Sequence, residues 1–139
     1  MKKPLLDELT SEEKDILLPI LIKIFKEKTN DKIHLTGDRI VRWFCNKKDA
    51  IGYKRAFNSQ RFMKLTNYIR VNGLLPLLSS NDGYYVSRNK DEIVSMIVSF
   101  RGRIASQQAA LDGLIAILKE IESEESEDLF NIDLSVNFK

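Results

Sequence analysis

Residues 58–87 have the sequence NSQRFMKLTNYIRVNGLLPLLSSNDGYYVS, which joins a cationic helix pattern directly to a hairpin pattern. Asn58 offers a side-chain oxygen that can cap the start of a helix, and Gly73 can adopt the left-handed conformation that ends one. We therefore predict a helix over residues 58–72. Its apolar residues recur at helical spacing and form one face: Phe62, Leu65 and Ile69.

The residues after Gly73 favour two short antiparallel strands. A leucine-rich run covers residues 74–78, residues 81–83 (Asn-Asp-Gly) are typical of a tight turn, and residues 84–86 (Tyr-Tyr-Val) can return as the second strand. The turn carries Asp82 rather than a basic residue, which favours a plain hairpin over a phosphate clamp. A helix followed by such a hairpin resembles the C-terminal half of a winged helix-turn-helix.

The polar face of the predicted helix carries side chains that suit DNA. Glutamine and asparagine can pair with adenine in the major groove, and lysine can reach the acceptors of guanine. The base-reading candidates are Gln60, Lys64 and Asn67. Phosphate contacts position a protein on DNA without reading its sequence. The candidates for these contacts are Lys54, Arg55, Arg61 and Arg70. The alternative is that all seven are only the solvated face of an amphipathic helix and its approach.

The charge of the chain is segregated along its length. The formal net charge is only +2, but residues 36–74 carry a balance of +7 and residues 111–139 a balance of −6. The positive block coincides with the predicted recognition helix, which is the electrostatic pattern of a nucleic-acid-binding protein.

The composition argues against several other classes of protein. A single cysteine, Cys45, excludes an internal disulfide, and a single histidine, His34, argues against a structural zinc site. No phosphate-cradling glycine loop, metal cluster or nucleophile–base pair is visible, so we predict no cofactor and no enzymatic activity. The longest apolar run, residues 16–22, is far shorter than the ~20 residues that cross a bilayer. We expect a soluble, cytoplasmic protein with no membrane association.

The chain before residue 58 predicts two supporting helices. Thr10 and Glu13 have the spacing of a capping box, and a first helix follows over residues 10–28. Pro19 either kinks this helix or begins a new one. Residues 33–35 can form a short strand beside the hairpin, and Thr36 can cap a second helix that continues to about Asn46, with Trp43 packed in the core.

Residues 47–57 exceed the usual turn of a helix-turn-helix, which has three or four residues. Two explanations fit the sequence. Either the third helix starts early, near Ala50, or an extra loop carries Lys54 and Arg55 towards the ligand.

A second long helix should follow the hairpin. Asn89 and Glu92 form another capping box, and apolar residues then recur at alternating steps of four and three, which is a heptad seam. We predict self-association over residues 90–121 through this seam, which includes Ile97, Phe100, Ile104, Gln107, Leu111, Leu114 and Leu118. The alternative is that the seam packs within a bundle against the first helix. Residues 124–139 are an acidic tail whose end alternates polar and apolar residues, which is the pattern of a strand. Three alternatives fit this tail equally well: it pairs with another protein by adding a strand, it pairs with its own dimer mate, or it remains disordered.

Several of these motifs resemble a known group of proteins. The order of elements over residues 33–86 is similar to a winged helix-turn-helix domain. Its local motifs are similar to those of small phage and prophage-type winged-helix proteins with a helical C-terminal extension. The motifs are Leu35-Thr36-Gly37, Asn67-Tyr68-Ile69-Arg70, Asn72-Gly73 and residues 79–85 (SSNDGYY). The resemblance covers about residues 33–118 and implies DNA binding in gene control or in the replication of a mobile element.

The sequence therefore predicts a mainly α fold with a small β-wing, a winged helix-turn-helix followed by a long dimerisation helix. The expected domains are residues 1–88 (core 33–88), a coiled-coil-like helix over residues 89–123 and a tail over residues 124–139. The expected function is double-stranded DNA binding by a homodimer or a higher homo-oligomer. The alternative function is a protein-interaction module of a replication or assembly complex without intrinsic DNA affinity.

Overall fold

A computed structural model of the chain describes the backbone of residues 9–137 and the side chains of residues 9–126. The chain forms two compact units, Met1–Met96 and Ile97–Lys139. The predicted fold class, mainly α with a small β-wing, is confirmed. The elements are a π-helical turn Glu13–Leu17, α1 Leu18–Lys28, α2 Gly37–Ile51, α3 Ser59–Val71, β1 Leu77–Ser80, β2 Gly83–Val86 and α4 Lys90–Asn137.

The first helical segment covers residues 11–28 and begins with a capping box. Thr10 Oγ1 accepts a hydrogen bond from the Glu13 N–H at 3.1 Å, and Glu13 Oε1 accepts one from the Thr10 N–H at 2.8 Å. Pro19 has no N–H to donate to the preceding turn, and the helix accommodates it with the π-helical turn directly before α1. Pro19 therefore lies inside a continuous helical segment, two residues after the end of the π-helical turn.

The second helix, α2, is longer than the sequence predicted. Thr36 Oγ1 caps its start by accepting from the Arg39 N–H at 3.2 Å. The helix ends on Gly52, whose φ of 84° lies in the left-handed region. The early start of the third helix near Ala50 is therefore wrong, because α2 continues through that residue and residues 52–58 form the connection.

The predicted helix over residues 58–72 is present as α3. Asn58 Oδ1 accepts from the Arg61 N–H at 3.0 Å and caps the first turn. Gly73 follows the last turn with a φ of 61°, as expected of a C-terminal glycine. The predicted apolar face is buried, namely Phe62, Leu65 and Ile69, together with Thr66.

The hairpin is antiparallel, with Leu77 opposite Val86 at its open end. It starts later than the leucine run predicted, since the N–H of Leu74 donates to the carbonyl of Ile69 at 2.9 Å and is used to end α3. Pro76 has no N–H to donate to a ladder, so the strand begins at the next residue.

The predicted strand over residues 33–35 is reduced to a single bridge. The N–H and carbonyl of Leu35 exchange hydrogen bonds with those of Tyr84, at 2.9 and 2.7 Å. Gly83 makes this approach feasible, because a Cβ there would collide with the carbonyl carbon and oxygen of Leu35. Its φ of 130° is also a conformation that other residues rarely adopt.

One apolar core joins the helices of the first unit to the hairpin. Trp43 is not part of it, which corrects the sequence-based prediction: Trp43 is 39% exposed and meets the ring of Phe44 edge-on at 5.1 Å. The side of α2 that faces the core carries Ile40 and Phe44, which are four residues apart. Trp43 directly precedes Phe44 in the sequence and therefore lies on a neighbouring side of the helix. The buried core residues include Leu17, Leu21, Phe25, Ile40, Phe44, Tyr53, Phe57, Phe62, Leu65, Ile69, Leu75 and Leu77.

The last helix, α4, starts where predicted and ends later. Asn89 Oδ1 accepts from the Glu92 N–H at 3.1 Å. The strand predicted from the alternating pattern at the C-terminus is wrong for residues 132–137, which are helical; residue 138 lies outside the described residues. A strand needs a partner to satisfy its backbone groups, whereas an existing helix gains one hydrogen bond per added residue without a new nucleation cost.

The close approach at Gly83 generates a stability prediction. Gly83→Ala should lower the free energy of unfolding by about 3 kcal/mol, because it combines a positive φ with a backbone collision. Gly52→Ala is the matched control: its φ is also positive, but a Cβ there meets nothing within 4 Å, so its cost should be only about 1 kcal/mol. Urea unfolding followed by circular dichroism measures both, and equal costs would contradict the collision.

Candidate nucleic-acid interface

The three base-reading candidates lie on the same side of α3 and face solvent. Gln60 and Asn67 are exposed and Lys64 is half-buried, while Phe62 and Leu65 point into the core. The capping of α3 by Asn58 and the burial of its apolar face fix this side outward. The arrangement presents one cation and two amides that can donate and accept hydrogen bonds, which is chemistry that suits base edges.

Two neighbouring apolar side chains extend this surface. Met63 is 57% exposed, and its sulfur lies 3.8 Å from the hydroxyl of Tyr84. Val71 is also exposed, one turn beyond Asn67. The surface is therefore mixed in polarity rather than uniformly charged.

Arg61, predicted to contact phosphate, already pairs with a buried carboxylate. Its Nη1 lies 2.8 Å from Oε2 of Glu13, which is 0% exposed. The other oxygen of this carboxylate, Oε1, accepts from the N–H of Thr10. The guanidinium is the only cation of a described residue within 4.0 Å of the carboxylate, so it neutralises a charge inside the protein. The phosphate role predicted for Arg61 stays untested, but its charge is not freely available.

Arg70 and Arg55 also have internal partners. Arg70 Nε donates to the carbonyl of Leu77 at 3.0 Å, and its guanidinium lies 5.6 Å from the ring centre of Tyr84. Arg70 thus braces α3 against the hairpin. Arg55 Nε lies 3.1 Å from Oε1 of Glu12, in an exposed pair whose contribution to stability is small.

Lys54 is the phosphate candidate that remains unengaged. It is exposed in the connection of residues 52–58, and no carboxylate of a described residue lies within 4.0 Å of its ammonium group. The connection itself is fixed, since Lys48 Nζ donates to the carbonyl of Arg55 at 2.9 Å and Cys45 Sγ to the carbonyl of Phe57 at 3.2 Å.

Tyr53 anchors the same connection from inside. Its side chain is 1% exposed, and its hydroxyl has no hydrogen-bond partner among the described residues. Burial, and secondly the negative charge of Glu13, raise the pKa of Tyr53 above its ordinary value. The phenol therefore stays neutral at physiological pH, and its role is packing.

The two tyrosines of β2 both pack against neighbouring rings. Tyr85 is buried and stacks on the ring of His34 with centroids 3.9 Å apart. Tyr84 is half-buried, and its ring lies 5.2 Å from that of Phe62. His34 Nδ1 is hydrogen-bonded to Ser80 Oγ at 2.7 Å, which ties residues 33–35 to the hairpin.

Sequence reasoning missed a second cationic surface, a groove between α1 and α2. It encloses about 550 Å³ and is lined by Lys28, Arg39, Arg42 and Trp43 in addition to aliphatic residues. The signal was present in the sequence, because Arg39, Arg42 and Trp43 share the helical side of α2 that turns away from Ile40 and Phe44. The interpretation of Trp43 as a core residue concealed it.

Other kinds of site have little support in the described part of the chain. No group of three or more histidine, cysteine, aspartate or glutamate side chains there could hold a metal ion. None of its helices is long and apolar enough to cross a membrane. No protein family, curated protein or solved structure matches this chain.

The buried ion pair predicts that two cations of α3, Arg61 and Lys64, differ in their contribution to stability. Arg61→Met should lower the free energy of unfolding by about 3 kcal/mol, because it leaves the buried carboxylate of Glu13 without its cation. Lys64→Met removes the same charge from the same helix and should cost less than about 1 kcal/mol.

Urea unfolding measures both changes. The double variant Glu13→Gln with Arg61→Met should recover part of the loss, since no charge is then left buried. An Arg61 variant as stable as the Lys64 variant would contradict the proposed importance of this pair.

Proposed function

We propose that this chain is a double-stranded DNA-binding protein that reads DNA with α3 and self-associates through α4. The observation that carries the proposal is the polar side of α3, where Gln60, Lys64 and Asn67 face solvent while the opposite side is buried. A helix braced at both ends by side-chain contacts can enter the major groove without a large ordering cost. The two-stranded hairpin and three helices of the first unit are compatible with a winged helix.

Phosphate contacts in this proposal come from fewer groups than the sequence predicted. Lys54 and Lys64 supply cations, and the N-terminus of α3 supplies backbone N–H groups. The first turn of α3 contains no acidic residue, so its positive end is available to an anion. The resemblance of residues 33–118 to small phage and prophage-type proteins supports a role in gene control or in the replication of a mobile element.

DNA binding should weaken steeply with salt and depend on Lys64. We expect a labelled random duplex to bind in fluorescence anisotropy at about 50 mM salt and to lose most of its affinity at about 200 mM, because bound cations displace counterions. Lys64→Glu should weaken binding at least about ten-fold, since it replaces an attraction with a repulsion at the groove.

Lys26→Glu is the matched control, because Lys26 is an exposed lysine of α1 and the charge change is identical. It should alter affinity by less than about two-fold at moderate salt, where distant charges are screened. An absence of any anisotropy change at low salt, or equal effects of the two variants, would refute the role of α3.

Self-association rests on an uncovered apolar surface in the second unit. The predicted seam residues Ile97, Ile104, Leu111, Leu114 and Leu118 are all exposed, as is the polar seam residue Gln107, and Phe100 is half-buried. Apolar surface of this extent on a single helix marks an interface. Ile121, which continues the seam after Leu118, is also exposed, and further large apolar side chains are exposed beside the seam: Val98, Ile115 and Ile117.

A charge placed in the seam should dissociate the oligomer. Leu111→Glu should reduce the mass measured by sedimentation equilibrium to that of the 16.1 kDa monomer, because a carboxylate cannot be buried there without a partner. Ala109→Glu, on the opposite side of the same helix, is the control and should leave the oligomer intact. A wild-type chain that sediments as a monomer would refute the self-association.

The second candidate is a protein-interaction module without DNA affinity, and the apolar lining of the groove beside α2 favours it. Retention of a protein partner at high salt, together with no DNA binding at low salt, would select this function over the first.

A further inference from the structure

The exposed seam of α4 is long and lies entirely within the second unit. From Ile97 to Ile121 it comprises eight residues at alternating steps of three and four, and it spans about 36 Å at 1.5 Å per residue. Among the described residues the second unit contains only α4, so no other element of that unit covers the seam. If the chain self-associates through α4, as proposed above, the seam is covered by the same seam of a second copy.

The two ends of the seam carry opposite charges. Arg101 and Arg103 border its N-terminal end, and Glu122 and Glu124 border its C-terminal end. All four are exposed and occupy heptad positions next to the seam, where charged side chains meet those of the partner helix. No salt bridge joins any of them to another described residue. Their charges are therefore available to a partner.

The direction of pairing determines which charges meet. In a parallel pair each end of the seam lies beside the same end of the second copy, so arginines gather with arginines and glutamates with glutamates. In an antiparallel pair the arginine end of each helix lies beside the glutamate end of the other, and this happens twice in the pair. Opposite charges attract and like charges repel, so the charge pattern favours the antiparallel direction.

The centre of the seam provides an independent argument. An open depression there is bordered by residues at positions i, i+3, i+4 and i+7, which is the arrangement of a hole that receives one side chain of a partner helix. These residues are Ile104, Gln107, Gln108 and Leu111. In a parallel pair the hole receives Gln107 of the second copy. In an antiparallel pair centred on residue 109 it receives Leu111 of the second copy, which suits its two aliphatic walls.

The glutamine amides are provided for in both directions. In a parallel pair the two copies of Gln107 face each other and can exchange a hydrogen bond. In the antiparallel pair Gln107 and Gln108 of both copies lie within two residues of the centre, so four amides gather there. The amides therefore do not decide the direction, and the charges and the apolar hole do.

We propose that two copies of α4 pair in the antiparallel direction with their centre at residue 109. In this register every seam residue faces a seam residue of the second copy: Ile97 faces Ile121, Phe100 faces Leu118, Ile104 faces Leu114 and Gln107 faces Leu111. A shift by one heptad in one direction places Ile121 opposite Lys90. The same shift in the other direction places Phe100 opposite Glu125. Only the register centred on residue 109 avoids both mismatches.

Disulfide trapping in the full-length chain tests the direction. Cys45, the only native cysteine, is first replaced by serine, which keeps a donor for the carbonyl of Phe57. Ile97→Cys and Ile121→Cys are then made as separate variants, mixed in equal amounts, refolded together and equilibrated in a glutathione redox buffer. Disulfides between positions 97 and 121 should exceed the homotypic disulfides at least about ten-fold in peptide mass spectrometry. The reason is that identical positions lie about 36 Å apart in the antiparallel pair, far beyond the reach of a disulfide.

A matched pair of variants tests the register. Ile97→Cys mixed with Leu114→Cys also places two cysteines in the seam, but these positions lie about 10 Å apart along the proposed pair. That separation exceeds what a disulfide spans, so this mixture should yield few mixed disulfides. A yield equal to that of positions 97 and 121 would overturn the register.

Charge reversal tests the direction without cysteines. Arg101→Glu with Arg103→Glu should weaken association in sedimentation equilibrium at least about five-fold, and so should Glu122→Lys with Glu124→Lys, because each places like charges across an antiparallel pair. The two variants alter net charge in opposite directions, so net charge cannot explain a shared loss. The chain with all four substitutions should regain the wild-type affinity. In a parallel pair each end would still face its own kind, and neither double variant would differ much from wild type.

Sedimentation equilibrium of the reduced cysteine variants keeps the two claims apart. A chain that associates but forms mainly homotypic disulfides would overturn the antiparallel direction and leave the self-association standing. Unchanged affinity in both charge-reversal variants would overturn it in the same way. A chain that sediments as a monomer at all concentrations would overturn the self-association and the direction together.

Discussion

The ion pair between Glu13 and Arg61 is the constraint on which the candidate surface depends. A carboxylate that is 0% exposed is costly without a cation, and Arg61 supplies that cation at 2.8 Å. The same carboxylate closes the capping box with Thr10, so one side chain joins the start of the first helical segment to α3. α3 cannot roll about its axis without breaking this pair, and its polar side is therefore fixed towards solvent.

A second brace acts at the other end of α3. Arg70 Nε donates to the carbonyl of Leu77 at 3.0 Å, where β1 begins, and its guanidinium lies over the ring of Tyr84. Tyr84 is in turn held by the backbone bridge to Leu35, which the absence of a side chain at Gly83 permits. Two arginines of α3 thus hold it in place, which leaves Lys64 as the cation on the side of α3 that faces solvent.

The parts of the fold that were predictable depend on neighbours in sequence. The caps formed by Thr10, Thr36, Asn58 and Asn89 each involve a residue three positions away, and all four are present. The partners of Arg61 and Arg70 are set by tertiary packing, and Glu13, for example, lies 48 residues away from Arg61. From the sequence only the positive charge of these two arginines was visible, and for that reason both were predicted to contact phosphate. The C-terminal pattern failed for a related reason, because a strand needs a partner that the sequence does not name.

The net charge of a segment therefore indicates a ligand only after the cations that are paired inside the protein have been subtracted. The balance of +7 over residues 36–74 includes Arg61 and Arg70, which are engaged inside the protein, and Arg55, which is paired with Glu12. Six basic residues remain. Lys54 and Lys64 lie beside α3, Arg39 and Arg42 lie at the groove on α2, and Lys47 and Lys48 lie near the end of α2, where Lys48 donates to the carbonyl of Arg55. The surface beside α3 and the groove both attract anions, and what distinguishes them is polarity. Two amide groups accompany the charge on α3 and favour base edges, whereas the groove surrounds its cations mainly with apolar residues and contains the single amide of Asn46.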